Sequence, residues 1–189
     1  MSTIVAERLI TAEEFLCMEE NKGAELVDGR IEEKQMGAES ALIGNDLLFE
    51  MKLVANRDKL GTVGGMEFGI QCWPDHPNRV RKPDVLFIRR ERLPGRPPRG
   101  WLTIAPDLVA EVVSPNDTVE KLERKLREYK EAGIPLIWVI YPDAGTADVL
   151  GANLPRTQLG RDGVLDGGDI LPGFTLKLAD LFAASAAVR

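Results

Sequence analysis

A chain of 189 residues with 44% hydrophobic and 29% charged side chains has the composition of a globular protein with a core of its own. Its formal net charge of -6 excludes a general electrostatic attraction to nucleic acid, so a DNA-binding surface would need a local concentration of positive charge. We predict one domain over residues 1–189.

The first half of the chain predicts a helix, a hairpin and a second helix. Residues 11–21 open with a Thr-x-x-Glu spacing, which is typical of a helix N-terminus. In residues 24–35 an Asp-Gly dipeptide separates two short apolar runs and favours a β-hairpin with a tight type I′ turn. Residues 39–61 carry large apolar side chains at helical spacing and predict a long amphipathic helix.

The predicted hairpin places two glutamates opposite each other. A two-residue turn at Asp28–Gly29 pairs Glu25 with Glu32. Like charges on one face destabilise a hairpin unless a cation lies between them. One interpretation is an exposed, solvated pair. The other is that Glu25 belongs to a functional site.

The second half of the chain alternates strands with one clear helix. Residues 117–132 open with an Asp-x-x-Glu capping box, formed by Asp117 and Glu120, and Gly133 ends the helix. The tail predicts a turn, a strand and a closing helix. The predicted strands are 62–73, 81–89, 106–113, 136–142 and 145–150. This order of elements predicts a mixed α/β fold of the α+β kind.

The strand predicted at 106–113 contains one carboxylate among apolar residues. Both of its faces are apolar except for Glu111. An ionised carboxylate in such a place needs a cation, a proton or hydrogen-bond partners. Glu111 could pair with an arginine near the strand end or belong to a functional site, and the strand alone favours neither interpretation.

A second carboxylate, Asp84, begins the apolar part of the strand at 81–89. If the two strands are neighbours, Asp84 and Glu111 converge, and their repulsion would push one of them towards protonation. A divalent cation between them would remove this repulsion, and oxygen ligands suit Mg²⁺ or Mn²⁺. The pair therefore predicts a metal site.

The helix at 117–132 adds a candidate lysine. Lys125 lies at the margin of the apolar stripe, whereas Lys121 points further towards solvent. A lysine at such a margin commonly extends along apolar surface into water. Because the helix directly follows the strand of Glu111, Lys125 could instead return to the same end of the sheet and stabilise charge on a phosphate. Two carboxylates, a metal and a lysine are what phosphodiester hydrolysis requires.

Three segments of the chain resemble the Uma family of restriction endonucleases, within the PD-(D/E)XK nuclease superfamily. They are RKPDVLFI, PDLVAEVVSPNDTVEKLERKLREYKEAGIPLIWVIYP and LPGFTLKLADLF, and the resemblance extends from about AELVDGRI to ADLF. It implies a restriction-endonuclease-like core, a mixed β-sheet flanked by helices, and Mg²⁺-dependent cleavage of DNA. It also implies metal ligation by Asp84, Glu111 and the backbone carbonyl of Val112, and it makes Glu25 a further candidate because ELVDG resembles the family's hairpin.

The chain departs from the family pattern at two positions. The superfamily motif has a lysine two residues after the glutamate, where this chain has Val113. The resemblance places the lysine on the following helix and so points to Lys125. Members of the family that the chain resembles often carry a histidine after the hairpin, where this chain has Ser40 nearby.

Residues 79–99 are basic within an acidic chain. One interpretation is a solvated loop, and the other is a surface beside Asp84 that contacts the DNA backbone. The sequence favours neither. The basic residues are Arg79, Arg81, Lys82, Arg89, Arg90, Arg92, Arg96 and Arg99.

The remaining features bear on compartment and partners. Cys17 and Cys72 form no motif, the N-terminal residues lack a signal-peptide pattern, and no apolar run approaches the ~18 residues of a membrane helix. We therefore expect a cytoplasmic protein with no membrane contact. The family resemblance makes DNA the expected partner. Cleavage of both strands would be compatible with a homodimer. Two alternatives stay open: a nuclease-like domain that binds DNA or protein without cleaving, and a structural oligomerisation module.

Overall fold

The computed structural model describes residues 8–34 and 37–186, with side chains to residue 183. The first seven residues, on which the expectation of no signal peptide partly rests, lie outside the described residues. One domain over residues 1–189 stays a prediction. Within the described part of the chain, no helix is both long and apolar enough to cross a membrane.

The first half of the chain folds as the predicted helix, hairpin and helix. The Thr11 side chain and Glu14 form the expected capping box, but the first helix ends at Cys17 and a 3-10 turn follows. The hairpin has the predicted register, with Glu25 opposite Glu32. The elements are α1 (Ala12–Cys17), the 3-10 turn (Glu19–Asn21), β1 (Ala24–Val27), β2 (Arg30–Glu33) and α2 (Ala38–Arg57).

The second half contains the predicted strands in shorter form. The strand expected at 62–73 ends at Gly65, because the chain turns there and the amide of Phe68 donates to the Gly65 carbonyl. β8 and β9 have only three residues each, too few for a periodic pattern, and periodicity did not predict them. The elements are β3 (Gly61–Gly65), β4 (Val85–Arg89), β5 (Leu108–Val112), α3 (Val119–Glu131), β6 (Leu136–Tyr141), β7 (Thr146–Leu150), β8 (Thr157–Leu159), β9 (Val164–Asp166), β10 (Thr175–Lys177) and α4 (Leu178–Ala186).

Six strands form a central mixed sheet in the order β3-β4-β5-β6-β7-β8. β5 and β6 are parallel and are joined through α3, whereas the other neighbouring strands are antiparallel. A parallel pair requires a crossover connection, which is why the chain needs α3 between β5 and β6. The predicted mixed α/β fold, a mixed sheet flanked by helices, is confirmed.

The helices cover both faces of this sheet. α2 and α4 pack on one face around Trp138, and α3 packs on the other through Leu126 and Tyr129. Side chains of β5 therefore alternate between the two sides, and Glu111 lies on the side of α3, where the Tyr129 hydroxyl contacts it. β5 is buried along its whole length, as its sequence predicted.

The antiparallel register brings the two predicted carboxylates together. Val85 of β4 pairs with Ala110 of β5, so the next position places Asp84 opposite Glu111. The hairpin closes this end of the sheet, because Leu26 exchanges two backbone hydrogen bonds with Val80 just before β4. β1, β4, β5 and α3 thus meet at one place.

The start of α3 differs in detail from the prediction. The N-cap is Thr118, whose side chain accepts from the amide of Lys121. Asp117, predicted as the cap, instead accepts from the amide of Ser114 and stabilises the turn between β5 and α3. Gly133 has the positive φ of 76° that the C-terminal prediction required.

Candidate active site

Asp84 and Glu111 are both 5% exposed, and each has one oxygen held by the protein. Oδ2 of Asp84 accepts from the amide of Val112 at 2.7 Å. Oε1 of Glu111 accepts from the hydroxyl of Tyr129 at 2.6 Å. These bonds fix both carboxylates at the end of the β4–β5 pair, on the wall of a cleft.

The other two oxygens share a cation, the ammonium of Lys34. Its Nζ lies 2.6 Å from Oδ1 of Asp84 and 3.8 Å from Oε2 of Glu111. It also donates to the carbonyl of Lys82 at 2.7 Å. Lys34 directly follows β2, so the hairpin delivers this charge to the sheet end. No pattern in the sequence pointed to Lys34.

Lys125 points into the cleft from α3. Its Nζ lies 2.8 Å from Oε1 of Glu111 and 2.8 Å from Oε1 of Glu25, and its side chain is 9% exposed. Lys121, one turn earlier, is exposed and lines the mouth of the same cleft. Helical spacing predicted that Lys125 points inward and Lys121 outward, and the structure agrees.

Glu25 is buried, so its interpretation as one of an exposed pair was wrong. Its Oε1 accepts from the amide of Lys82 at 2.7 Å, and its Oε2 contacts Arg81 at 2.9 Å. Because the hairpin packs on the segment before β4, Glu25 faces inward and gains these partners. Glu32 instead pairs with Arg124 at 2.6 Å.

Arg81 connects this cluster to α3. Its Nε and NH2 donate to the two oxygens of Glu128 at 2.6 Å and 2.9 Å, and Nε of Arg79 lies 3.8 Å from Glu128. The ion-paired cluster thus joins four buried carboxylates to four cations, of which Arg79 also forms a two-pronged hydrogen bond with the more exposed Asp28. The carboxylates are Glu25, Asp84, Glu111 and Glu128, and the cations are Lys34, Arg79, Arg81 and Lys125.

The environment shifts the ionisation of several of these groups. Burial raises the pKa of Glu111, and nearby Asp84 and Glu25 add to the rise, although Lys125 and Lys34 oppose it. Burial also opposes ionisation of Glu25, but Lys125 and Arg81 outweigh it and lower that pKa. For Lys34, burial opposes the charge, and Glu111 and Asp84 outweigh it and raise the pKa.

The donor set fits a hard divalent cation. Two carboxylate oxygens, Oδ1 of Asp84 and Oε2 of Glu111, face one positively charged group and are not taken up by the backbone or by Tyr129. Oxygen donors of this kind are the ligands of Mg²⁺ and Mn²⁺. Across residues 8–34 and 37–186 no three Asp, Glu, His or Cys side chains are grouped to hold a metal, so further ligands would be carbonyl or water oxygens.

The basic run divides into two parts. Arg79 and Arg81 are buried inside the ion-paired cluster, so they brace the site. The backbone of Lys82 contacts the same cluster, but its ammonium points towards Asn21 and Glu67. Arg89 and Arg92 lie at the other end of β4, where both contact Asp107. The run therefore does not form one surface beside Asp84.

Ser40 and Val113 are hydrogen-bonded to each other. Oγ of Ser40 donates to the carbonyl of Val113 at 3.1 Å and ties α2 to the end of β5. Ser40 thus has a structural contact. Tyr129 is buried in the core and also holds Glu111 through its hydroxyl.

Comparison with known proteins agrees with this architecture. A family model described as "Uma2: Putative restriction endonuclease" matches residues 12–179. No curated protein matches the chain significantly. A solved structure described as a "putative nuclease belonging to DUF820", from Anabaena variabilis ATCC 29413, superimposes with a TM-score of 0.79 at 21% identity. The match covers 93% of this chain and 99% of that one, and it shows the same fold.

The family match spans all of the elements that build the cleft, from α1 to the start of α4. The restriction-endonuclease-like fold predicted from the sequence is confirmed by the structural neighbour. The chain therefore belongs to the Uma2 family of restriction-endonuclease-like proteins.

Proposed function

We propose that the cleft binds Mg²⁺ or Mn²⁺ and hydrolyses phosphodiester bonds in DNA, as an endodeoxyribonuclease. The observation that supports this most strongly is the pair of inward oxygens of Asp84 and Glu111 facing a single cation at the sheet end. A buried arrangement of this kind is costly unless a positive charge completes it. The family supports a nuclease in general terms.

The metal would be held by Asp84, Glu111 and the backbone carbonyl of Val112. Val112 lines the cleft, and its amide already donates to Asp84. When bound, the metal would supply Lewis-acid stabilisation of a phosphate oxygen and lower the pKa of a water molecule. Tyr129 and the Val112 amide keep the two carboxylates oriented towards the cleft.

Lys125 is proposed as the catalytic lysine. Its ammonium lies at the cleft wall beside Glu111, where it could contact a phosphate and offset the negative charge that develops at phosphorus. Glu25, predicted as a catalytic residue, is proposed here as a positioning residue for Lys125. Arg81 and the Lys82 amide hold Glu25 in turn.

DNA would approach over the mouth of the cleft. Lys121 is exposed there and could contact the phosphate backbone. Arg89 and Arg92 would reach DNA only on a longer path across the sheet, because they lie at the far end of β4. Cleavage of both strands needs two active sites or two visits, so a homodimer stays a prediction.

A cleavage assay tests the proposal. Supercoiled plasmid, linear duplex and single strands would be incubated with Mg²⁺ or Mn²⁺ and with wild type, Asp84→Asn, Lys125→Met and a control, Lys130→Met. Lys130 is exposed in the last turn of α3. Wild type and the control are expected to cleave, and each site variant should lose at least ~100-fold in rate.

Two results would contradict the proposal in different ways. Salt-sensitive DNA binding without cleavage by wild type would favour a binding domain that has lost catalysis. Neither binding nor cleavage would favour the structural alternative. Full activity of Lys125→Met would refute the lysine assignment alone.

A further inference from the structure

Lys34 occupies the position that a metal ion would need. Its ammonium touches three oxygens, namely Oδ1 of Asp84, the Lys82 carbonyl and, at 3.8 Å, Oε2 of Glu111. Two of these three belong to the proposed metal ligands. The backbone of Lys34 is fixed as well, because its amide donates to the Gly23 carbonyl at 2.8 Å. The hairpin therefore presents this side chain directly to the carboxylate pair.

We infer that Lys34 sets the affinity of this site for divalent cations, because the ion can enter only by displacing the lysine ammonium. The inference rests on the metal site of the proposed function. Ammonium and metal would compete for the same oxygens, since like charges repel at close range and each carboxylate has only one oxygen free of other protein donors.

The exchange is sterically available to Lys34. Its side chain is 16% exposed, and a lysine head group on a four-carbon stem can swing towards the cleft mouth while its backbone stays in place. Lys125 differs, because its ammonium is shared by Glu25 and Glu111 on a more buried helix face. We therefore assign the displaceable role to Lys34 and the retained role to Lys125.

Lys34 has a second consequence for the protein without metal. With Lys34 in place, Asp84 and Glu111 face two ammonium groups, those of Lys34 and Lys125, so the fold does not need a divalent ion to neutralise this pair. Loss of the Lys34 ammonium would leave this pair with an unmatched negative charge, which a divalent cation could neutralise. The site would then change from one in which the metal competes with a lysine to one that depends on the metal for its charge balance.

The test compares Lys34→Met with wild type and with Lys22→Met, a control whose side chain is 77% exposed near the same hairpin. Mn²⁺ binding would be measured by isothermal titration calorimetry, and melting temperature with EDTA and with Mn²⁺. We expect Lys34→Met to bind Mn²⁺ at least about tenfold more tightly than wild type. It should also melt lower than wild type in EDTA and gain more from Mn²⁺, with Lys22→Met unchanged.

The outcomes separate this inference from the proposed function. Equal or weaker Mn²⁺ binding by Lys34→Met, with clear binding by wild type, would overturn the role of Lys34 and leave the metal site standing. No Mn²⁺ binding by either protein would overturn both. If Lys34→Met does not fold in EDTA, Lys34→Gln, which keeps a donor without the charge, gives the same comparison.

Discussion

Replacing Lys125 with methionine is expected to destabilise the protein in addition to stopping catalysis. The change removes an ammonium that lies 2.8 Å from both Glu25 and Glu111. Methionine fills most of the volume of the lysine stem, so the loss is mainly one of charge. The variant therefore measures how strongly the buried cluster depends on this cation.

The magnitude follows from the charge balance of the cluster. Glu25 and Glu111 share the ammonium of Lys125, and without it one negative charge in a buried environment has no match. Removing one partner of a buried ion pair costs about 3–5 kcal/mol. Because the Lys125 side chain is only 9% exposed, solvent screens little of this loss. For a protein of this size, about 2–4 °C of melting temperature per kcal/mol gives a fall of roughly 6–20 °C.

Thermal unfolding followed by circular dichroism at pH 8 in EDTA would measure this loss. The comparison includes wild type, Lys125→Met, the exposed control Lys130→Met, and the double variant Lys125→Met/Glu25→Gln. The double variant should recover part of the loss, because Glu25→Gln removes the unmatched charge. A melting temperature of Lys125→Met within about 2 °C of wild type would refute the reasoning that this ammonium neutralises the cluster.

Three further predictions concern packing, hydrogen bonding and pH. Gly44→Ala should stabilise α2 by up to about 1 kcal/mol, because an added Cβ would meet only ordinary contacts at 3.8 Å. Gly61→Ala should destabilise the fold, because its added Cβ would lie 2.0 Å from the carbonyl oxygen of Ile88. Urea unfolding measures the free energy of unfolding of both variants, and equal changes in the two would contradict these Cβ distances. Tyr129→Phe should cost about 1.5–3 kcal/mol at pH 8 in the same assay, because it removes a hydrogen bond to the Glu111 carboxylate, and a neutral result would count against that bond. The neighbours of Glu25 lower its pKa in the folded protein relative to the unfolded chain. The charged carboxylate therefore stabilises the fold above about pH 4.3, and this stabilisation is lost progressively as the pH falls below that value. The melting temperature of Glu25→Gln should therefore lie below that of wild type at pH 7 and approach it at pH 3. The same difference in melting temperature at both pH values would contradict this role of the Glu25 charge.

The elements and the carboxylate pair were predictable because they depend on short-range patterns. Periodicity and turn residues predicted the hairpin, α2, α3 and the buried strand of Glu111. The convergence of Asp84 and Glu111 needed only that β4 and β5 be neighbours, and it follows from their antiparallel register. Helix geometry was sufficient to turn Lys125 inward.

The contacts made by Lys34 and Glu25 were not predictable from local pattern. Both depend on the hairpin packing against the segment before β4, which brings together residues about 50 positions apart in the chain, such as Lys34 with Asp84. The rule that opposed glutamates need a cation was available, but it could not identify Lys125 and Arg81 as the cations. For the same reason the sequence could not decide between a solvated loop and a DNA-contacting surface for residues 79–99, because tertiary packing buries Arg81 and leaves Arg89 at the far end of β4.

The position of a bound cation can be observed directly in a crystal soaked with Mn²⁺, from the anomalous scattering of the ion. We predict a single strong peak at about 2.1 Å from Oδ1 of Asp84 and from Oε2 of Glu111, the range in which small divalent ions bind oxygen, with the Lys34 ammonium moved out of that position. A map with no peak between these two carboxylates, and with Lys34 still in contact with Asp84, would contradict the proposal that this cleft is a metal-dependent nuclease site.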